Sequence, residues 1–336
     1  MNISLENVLD INLENEVDKI SSEIRASLRT KLKKRGLVIA ISGGVDSGVC
    51  AALCVKALGK NKVFGLLLPE TDSSSESLTR GRALAEHLGI EYTTEDIAPT
   101  LNAIGCYSWR DDAIKSIHPD YDGTWKNKIT ISSGHKGAFN YFNLVVQKPD
   151  GETIETRMDL KQYLQIVAAT NYKQRIRKTI EYFHADRLNY AVVGTPNRLE
   201  FDQGFFVKNG DGSADIKPIA HLYKTQVYKL AEYLGIPTEI ATAAPTTDTY
   251  SMDQGQDEFY FSLSYDKMDI ALWSYNHKID TSVLADYLEI SIEHAKLVYK
   301  DIETKRTTTH YLHTRAHLID ESPRSDLEEH WNRKEK

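Results

Sequence analysis

A short apolar run that leads directly into a glycine- and serine-rich loop constrains the fold of this chain more than any other feature. Residues 37–41 read LVIAI, residues 42–48 read SGGVDSG, and residues 49–58 have the pattern of a helix that stops at Gly59. A continuous apolar run of this length is typical of a strand that is covered on both faces. The segment therefore predicts a strand, a tight loop and a helix within a parallel sheet.

Strand-sized and helix-sized segments alternate along much of the remaining chain. This alternation predicts an α/β fold, a doubly wound parallel sheet with helices on both faces, because parallel neighbours need the crossover connections that helices supply. The further strands are predicted at residues 63–68, 90–94 and 189–193, and the further helices at residues 14–34, 73–88 and 223–234.

Two regions depart from this alternation. Residues 105–158 contain alternating polar and apolar segments and the turn sequence PDG (149–151), which predict an inserted β-hairpin or small β-meander. Residues 320–336 are almost wholly charged and are predicted to form a frayed C-terminal tail. We expect residues 1–319 to form a single domain.

The composition excludes several classes of protein. A net charge of −7 argues against a broadly basic surface for nucleic acid. The three cysteines lack CxxC spacing, which argues against a disulfide framework or a cysteine-based zinc site. The N-terminus is acidic where a signal peptide is basic, and no apolar stretch approaches the roughly 20 residues of a membrane helix. We therefore expect a cytoplasmic protein that binds neither nucleic acid nor a membrane.

The loop at residues 42–48 has the chemistry of an anion-binding site. Its glycines allow a tight turn that presents successive backbone N–H groups, and the helix that follows adds the positive end of its dipole. Ser42 and Ser47 add hydroxyl donors without bulk. An aspartate in such a loop would repel a phosphate unless a divalent cation bridged the two, so Asp46 is a candidate Mg²⁺ ligand. Glu200 follows the last predicted strand, where open α/β sheets bind ligands, and is a candidate second ligand.

The loop also carries a resemblance to a known family. It lacks the terminal lysine of the GxxxxGK[ST] loop, and it resembles the SGGxDS loop of the PP-loop (N-type) ATP pyrophosphatases, which cleave ATP between the α- and β-phosphates. Within that superfamily, residues 192–237 resemble the NAD synthetases through a Gly-Thr pair, a Glu five residues later and the sequence GFFVKNGDGSADIKP. The resemblance continues in order through APTTD (244–248), GQDE (255–258) and SYDKMD (264–269).

The resemblance implies an adenine nucleotide alpha hydrolase-like fold and an ATP-dependent amide ligase. Such an enzyme adenylates the carboxylate of deamido-NAD (nicotinic acid adenine dinucleotide), and ammonia then displaces AMP to give NAD. The resemblance also implies Mg²⁺ as cofactor, ATP as co-substrate and a homodimer. The segment before residue 37 is too short for a glutaminase domain. We therefore expect free ammonia, or ammonia from a separate glutaminase, as the nitrogen source.

The resemblance further assigns roles to individual residues. Asp46, Lys208 and Asp215 are the expected catalytic residues, and Asp46 and Glu200 are the expected metal ligands. Arg175 and Arg177 lie two positions apart on one predicted helix and point in different directions, so one ligand is not expected to use both equally. The expected acceptor-binding residues are Arg175, Lys208, Asp215 and Lys305. The expected ATP-binding residues are Ala40, Ile41, Ser42, Gly43, Gly44, Val45, Asp46, Ser47, Thr195, Lys224 and Thr246.

Two departures from the family pattern concern the acceptor side of the predicted site. Residues 105–158 are longer than the matching loop of compact bacterial NAD synthetases, and Thr304 stands where the family has a histidine. Two alternatives therefore stay open. One is a related amide ligase that uses a different carboxylate metabolite, and the other is a tRNA-modifying PP-loop enzyme.

Overall fold

A computed structural model of the chain describes residues 4–132, 141–243, 250–252, 255 and 263–334. Its central sheet is parallel, with the strand order β3-β2-β1-β7. Leu37 lies opposite Val63 on one side and Ala191 on the other, and a parallel bridge between Val193 and Ile216 extends the β7 edge. The strands of this sheet are β1 (Leu37–Ala40), β2 (Val63–Leu67), β3 (Glu91–Thr94) and β7 (Ala191–Val192).

Helices precede, connect and follow these strands. The first ends in a π-helical turn (Leu28–Leu32), and a short 3₁₀ turn (Lys60–Lys62) precedes β2. The helices are α1 (Leu13–Ser27), α2 (Val45–Leu58), α3 (Ser75–Leu88), α4 (Ala98–Ala103), α5 (Cys106–Lys115), α6 (Leu160–Leu188), α7 (Arg198–Gln203), α8 (Lys224–Tyr233), α9 (Thr238–Ala241), α10 (Tyr265–Asn276), α11 (Thr281–Leu288), α12 (Ile292–His313) and α13 (Ser322–Lys334).

Alternate residues of the central strands face two different helical layers. Leu37 and Ile39 pack into a core shared with α1, α2 and α8, whereas Val38 packs into a core shared with α4 and α6. All three side chains are fully buried. Because a strand with both faces covered can be apolar at every position, this packing explains the uninterrupted LVIAI run. The predicted doubly wound α/β fold is confirmed.

A second, antiparallel sheet lies in the inserted region. It contains β4 (Lys126–Ser132), β5 (Tyr141–Gln147) and β6 (Thr153–Arg157), in the order β4-β5-β6. The predicted β-meander is present here, but residues 106–115 of the inserted segment form α5 instead of β structure. The buried positions of α5 are spaced as one face of a helix: Cys106, Arg110, Ala113 and Ile114.

The described residues from 263 onward are mainly helical. Helices α10, α11 and α12 share a core with the N-terminal residues Leu5 and Leu9. Where a frayed tail is expected from the charge of residues 320–336, the structure has α13, and the Asp320 carboxylate accepts a hydrogen bond from Ser322 N at its start (2.9 Å). Among the described residues, no helix combines the length and the apolar character needed to cross a bilayer.

Candidate active site

The glycine- and serine-rich loop joins β1 to α2, as the sequence predicts. The Ser47 hydroxyl donates to Gly44 O (3.0 Å), and Gly44 N donates to the Ser42 hydroxyl (3.3 Å). Gly43 has a φ of +81°, and a Cβ at this position would lie 2.4 Å from Ser77 O. The loop therefore requires glycine at this position, both for its backbone conformation and because the first turn of α3 packs against it.

A cavity of about 610 Å³ opens at this loop, at the carboxyl ends of the parallel strands. This is the edge at which open α/β sheets bind ligands. The loop forms one part of the wall, and α3, α6, α7, the ends of β2 and β7 and the segment before α8 also contribute to it. The cavity wall includes most of the predicted ATP and metal positions: Ala40, Ile41, Ser42, Gly44, Val45, Asp46, Ser47, Thr195, Glu200 and Lys224. Thr246 lies outside the described residues.

Asp46 is held by two partners from distant parts of the chain. Asn197 Nδ2 donates to Asp46 Oδ1 at 3.2 Å, and Lys224 Nζ donates to Asp46 Oδ2. Lys224 is only 1% exposed. Burial alone would lower the pKa of Lys224, but the carboxylates of Asp46 and Glu200 raise it above its usual value. The lysine is therefore charged, and it sits where a phosphate that enters the loop would meet it.

Glu200 combines a structural contact with an unusual protonation state. It is the third residue of α7, where Asn197 caps the helix: Glu200 N donates to Asn197 Oδ1 (3.1 Å), and Asn197 N donates to Glu200 Oε2 (3.2 Å). Burial, and next the negative charge of Asp46, raise the pKa of Glu200 to about 8. The sequence NRLE (197–200) has the spacing of a capping box, a signal that would have identified Asn197.

The carboxyl groups of Asp46 and Glu200 fit a magnesium ion that would also bind a phosphate. Among the described residues, no cluster of three His, Cys, Asp or Glu side chains could hold a metal ion. Mg²⁺ usually takes one or two carboxylates and completes its shell with water and substrate phosphates. Burial and next the Asp46 carboxylate favour the neutral form of Glu200, and a divalent cation beside both groups would favour its ionised, metal-binding form.

A polar stripe of α6 lines the cavity and was only partly anticipated. Gln174, Arg177, Lys178 and Glu181 are spaced as one face of a helix, and all four line the cavity. Arg177 Nε donates to Leu68 O at 3.2 Å, beside the end of β2. The helical spacing of these polar residues is the signal from which the stripe could have been predicted.

Two further carboxyl groups lie in this part of the cavity wall. Lys178 Nζ donates to Glu181 Oε2 at 2.7 Å, with both side chains buried. Asp211 Oδ1 accepts from Val207 N at 2.8 Å. Burial raises the pKa of both Glu181 and Asp211. Glu181 was not predicted as a site residue, whereas Asp211 lies in the sequence GFFVKNGDGSADIKP, which the resemblance singled out.

Two of the predicted acceptor residues contact each other outside the cavity wall. The Lys208 ammonium donates to Tyr311 O and Thr314 O (both 2.8 Å), at the C-terminal end of α12. Arg175 Nε donates to Lys208 O (3.3 Å), and its side chain is exposed. Here Lys208 satisfies helix-terminal carbonyls. The structure thus brings Arg177 to the cavity, and Arg175 lies outside it.

The two remaining acceptor positions also lie outside the cavity wall. Asp215 Oδ2 accepts a hydrogen bond from Val192 N (2.8 Å) at the end of β7. Lys305 pairs with Asp301 one turn earlier in α12 (2.7 Å). The Asp215 contact holds the β7 edge of the central sheet, and the Lys305 contact joins two successive turns of α12. The substrate roles that the sequence suggests for Asp215 and Lys305 stay predictions.

Comparison with known proteins shows which family this sequence resembles. The model of the NAD synthase family matches residues 16–117 and 144–310. The chain is 54% identical over 305 residues to the NH(3)-dependent NAD(+) synthetase of Rhizobium meliloti (strain 1021), which covers 90% of this chain and 91% of that protein. It is 52% identical over 312 residues to the synthetase of the same name from Mesorhizobium japonicum, which covers 93% and 98%.

Solved structures show the same fold at lower identity. The structure of NMN synthetase from Francisella tularensis superposes with a TM-score of 0.61 at 22% identity, over 93% of this chain and 100% of that chain. An NH3-dependent NAD synthetase from Campylobacter jejuni superposes with a TM-score of 0.61 at 21% identity, over 92% and 100%. With a family match that spans most of its length and relatives above half identity, this chain belongs to the NAD synthase family.

Proposed function

We propose that this protein makes NAD from deamido-NAD, ammonia and ATP, with AMP and pyrophosphate as the other products. One observation carries the proposal. Asp46, Glu200 and Lys224 converge on the glycine-serine loop, in a chain that is 54% identical to an NH(3)-dependent NAD(+) synthetase over 90% of its length. The reaction forms a C–N bond, so the enzyme is a ligase.

The residues of the loop explain how ATP would be activated. A carboxylate does not react with ammonia directly, because oxide would have to leave. Attack of the carboxylate on the α-phosphate of ATP replaces oxide with AMP as the leaving group and expels pyrophosphate. In this proposal, the pyrophosphate is held by the backbone N–H groups of residues 42–48, the start of α2 and the Lys224 ammonium. Catalysis would thus rest on positioning and charge neutralisation.

The proposed cofactor is Mg²⁺, held by Asp46 and Glu200 together with phosphate oxygens. When bound, it would neutralise charge on the departing pyrophosphate. Ammonium must lose a proton before its nitrogen can attack the acyl-adenylate. Glu181 and Asp211 lie in the cavity wall with raised pKa values, so their ionised forms are better proton acceptors than ordinary carboxylates.

The proposal includes the oligomeric state and the cellular location of the enzyme. A homodimer in the cytoplasm is expected, as the resemblance implies, with ammonia taken from solution or from a separate glutaminase. Sedimentation of the purified protein at several concentrations tests the dimer. A monomer at every concentration would contradict it.

The deciding experiment is a product assay with purified protein, Mg²⁺, ATP and ammonium. With deamido-NAD, the expected products are NAD, AMP and pyrophosphate in equal amounts. A panel of other carboxylates should yield little AMP. Formation of ADP would contradict adenylation, and turnover of another carboxylate without deamido-NAD would favour a different amide ligase.

A further inference from the structure

The inserted antiparallel sheet has a contact that ties it to the active-site cavity. The family match stops at residue 117 and resumes at residue 144, so β4 lies wholly in a segment that the family model does not cover. β4 is also the edge strand of its sheet, since the order is β4-β5-β6. An edge strand presents backbone N–H and C=O groups that need partners.

The partners of this edge come from a segment more than a hundred residues later in the chain. Asn127 N donates to Ser251 Oγ at 2.8 Å, and Met252 N donates to Asn127 O at 3.2 Å. The Asn127 side chain, in a residue that is 1% exposed, donates to Ser251 Oγ (3.3 Å) and to the Tyr121 hydroxyl (3.0 Å). Residues 251–252 therefore pair with the edge of β4 at Asn127, which holds them by side chain and backbone.

The residue that precedes this contact belongs to the cavity wall. Tyr250 is 9% exposed and lines the cavity together with Tyr163 and Thr170 of α6. Tyr163 in turn stacks on Phe142 of β5, with ring centroids 3.7 Å apart and planes at 16°. The inserted sheet thus contacts two aromatic parts of the cavity wall, Tyr250 through its neighbour Ser251, which pairs with β4, and Tyr163 through Phe142 of β5. An aromatic wall of this kind suits a planar nucleotide ring.

We propose that β4, through the Asn127–Ser251 contact, positions Tyr250 in the cavity wall and thereby sets the affinity for a nucleotide substrate. Asn127 and Ser251 are positioning residues, because they act through Tyr250. The proposal names ATP and deamido-NAD as the candidate ligands and in that respect rests on the proposed function. Direct binding measurements keep the two separable, since they need no turnover.

The test compares Ser251→Ala with Ser251→Thr, which keeps the hydroxyl, and with Thr130→Val, on the opposite face of β4, where Thr130 contacts Glu155. We expect Ser251→Ala to raise the Kd and the KM of ATP or of deamido-NAD about fivefold, which corresponds to the loss of one net hydrogen bond. The kcat should stay within about twofold of the wild-type value. Ser251→Thr should restore the wild-type values, and Thr130→Val should leave them unchanged. Calorimetric Kd values and steady-state kinetics on the folded variants give these numbers.

Combining variants shows whether the effect passes through Tyr250. Tyr250→Ala should weaken binding of the same ligand, and Ser251→Ala should add little to it, because both changes disturb one wall. Asn127→Ala provides a second variant if Ser251→Ala folds poorly. Unchanged Kd values for both ligands in Ser251→Ala and Asn127→Ala, or fully additive effects with Tyr250→Ala, would overturn the proposal. If no NAD forms but the Kd values shift, the proposed function fails and this inference stands.

Discussion

The Asp46 carboxylate lies between a buried ammonium and a buried carboxyl group. Lys224 donates to it, and its negative charge helps to raise the pKa of Glu200 to about 8. We expect Asp46→Asn to abolish pyrophosphate release, because the proposed metal site loses one of its two carboxylates. The thermal unfolding temperature should change little, since Glu200 can ionise and take over as the counter-ion of Lys224. Product analysis and calorimetry measure both quantities, and retained pyrophosphate release would contradict the assignment of Asp46.

Asp269 belongs to α10, contacts the start of α8 and gives a pH-dependent prediction. Its carboxylate accepts from Thr225 N at 2.8 Å, and burial raises its pKa from 3.8 to about 6. As pH rises from about 4 to 6, the unfolded chain loses this proton before the folded chain does, so this group lowers the free energy of unfolding. Over the whole range, the raised pKa of Asp269 lowers the free energy of unfolding by about 3 kcal/mol. As pH rises over that range, the Asp269→Asn variant should therefore lose less unfolding free energy than the wild type. Denaturant titrations at each pH measure both profiles. Parallel profiles for the variant and the wild type would refute the prediction.

At the scale of elements, the loop between β1 and α2 depends on its contact with α3. Gly43 and Gly59 both have a φ near +80°, but a Cβ would lie 2.4 Å from Ser77 O at Gly43 and would meet nothing within 4 Å at Gly59. Alanine at either position should cost about 1–2 kcal/mol of unfolding free energy from backbone strain. Gly43→Ala should cost more, and it alone should weaken ATP binding, because the loop must move away from α3.

Chemical denaturation and ATP calorimetry of the two glycine variants separate these effects. Gly59→Ala serves as the matched control for backbone strain, since it lies at the opposite end of α2. Equal losses of stability with unchanged ATP affinity in both variants would show that the contact between the loop and α3 is unimportant.

At the scale of the whole molecule, a buried ionic network joins the central sheet to α5 and α6. Lys173 Nζ donates to Glu70 Oε1 (3.0 Å) and Asp72 Oδ2 (2.5 Å), just after β2, and Arg110 Nη1 donates to Asp72 Oδ2 (2.6 Å). Breaking a buried pair leaves uncompensated charge in the interior. Lys173→Met should therefore lower the free energy of unfolding by about 3–5 kcal/mol.

A surface pair supplies the control for this prediction. Lys148 pairs with Glu152 at 2.6 Å in the exposed turn between β5 and β6. Lys148→Met should leave the unfolding free energy nearly unchanged, because water solvates the remaining carboxylate. Similar losses in urea titrations of the two lysine variants would contradict a stabilising role for the network.

Local segments of the fold were predictable where neighbours in sequence decide the structure. The strand at residues 37–41, the loop after it and α2 follow from apolar patterning and glycine chemistry. The predicted start of α3 at residue 73 lies one residue before its N-cap, Ser74, which accepts from Ser77 N. The inserted region was predicted less well. Its aromatic, glycine and turn composition favoured β structure throughout, although the buried positions of α5 have helical spacing.

The candidate site divides in the same way. The sequence by itself determined the loop at residues 42–48, because successive residues form it, and it indicated Glu200 as a candidate partner of Asp46. Helical spacing places Arg175 and Arg177 on different faces of α6. Only the tertiary structure decided which of these faces reaches the cavity, because that depends on how α6 packs against the sheet. The contact of Asn127 with Ser251 likewise joins residues that no local pattern connects, since packing between distant elements creates it.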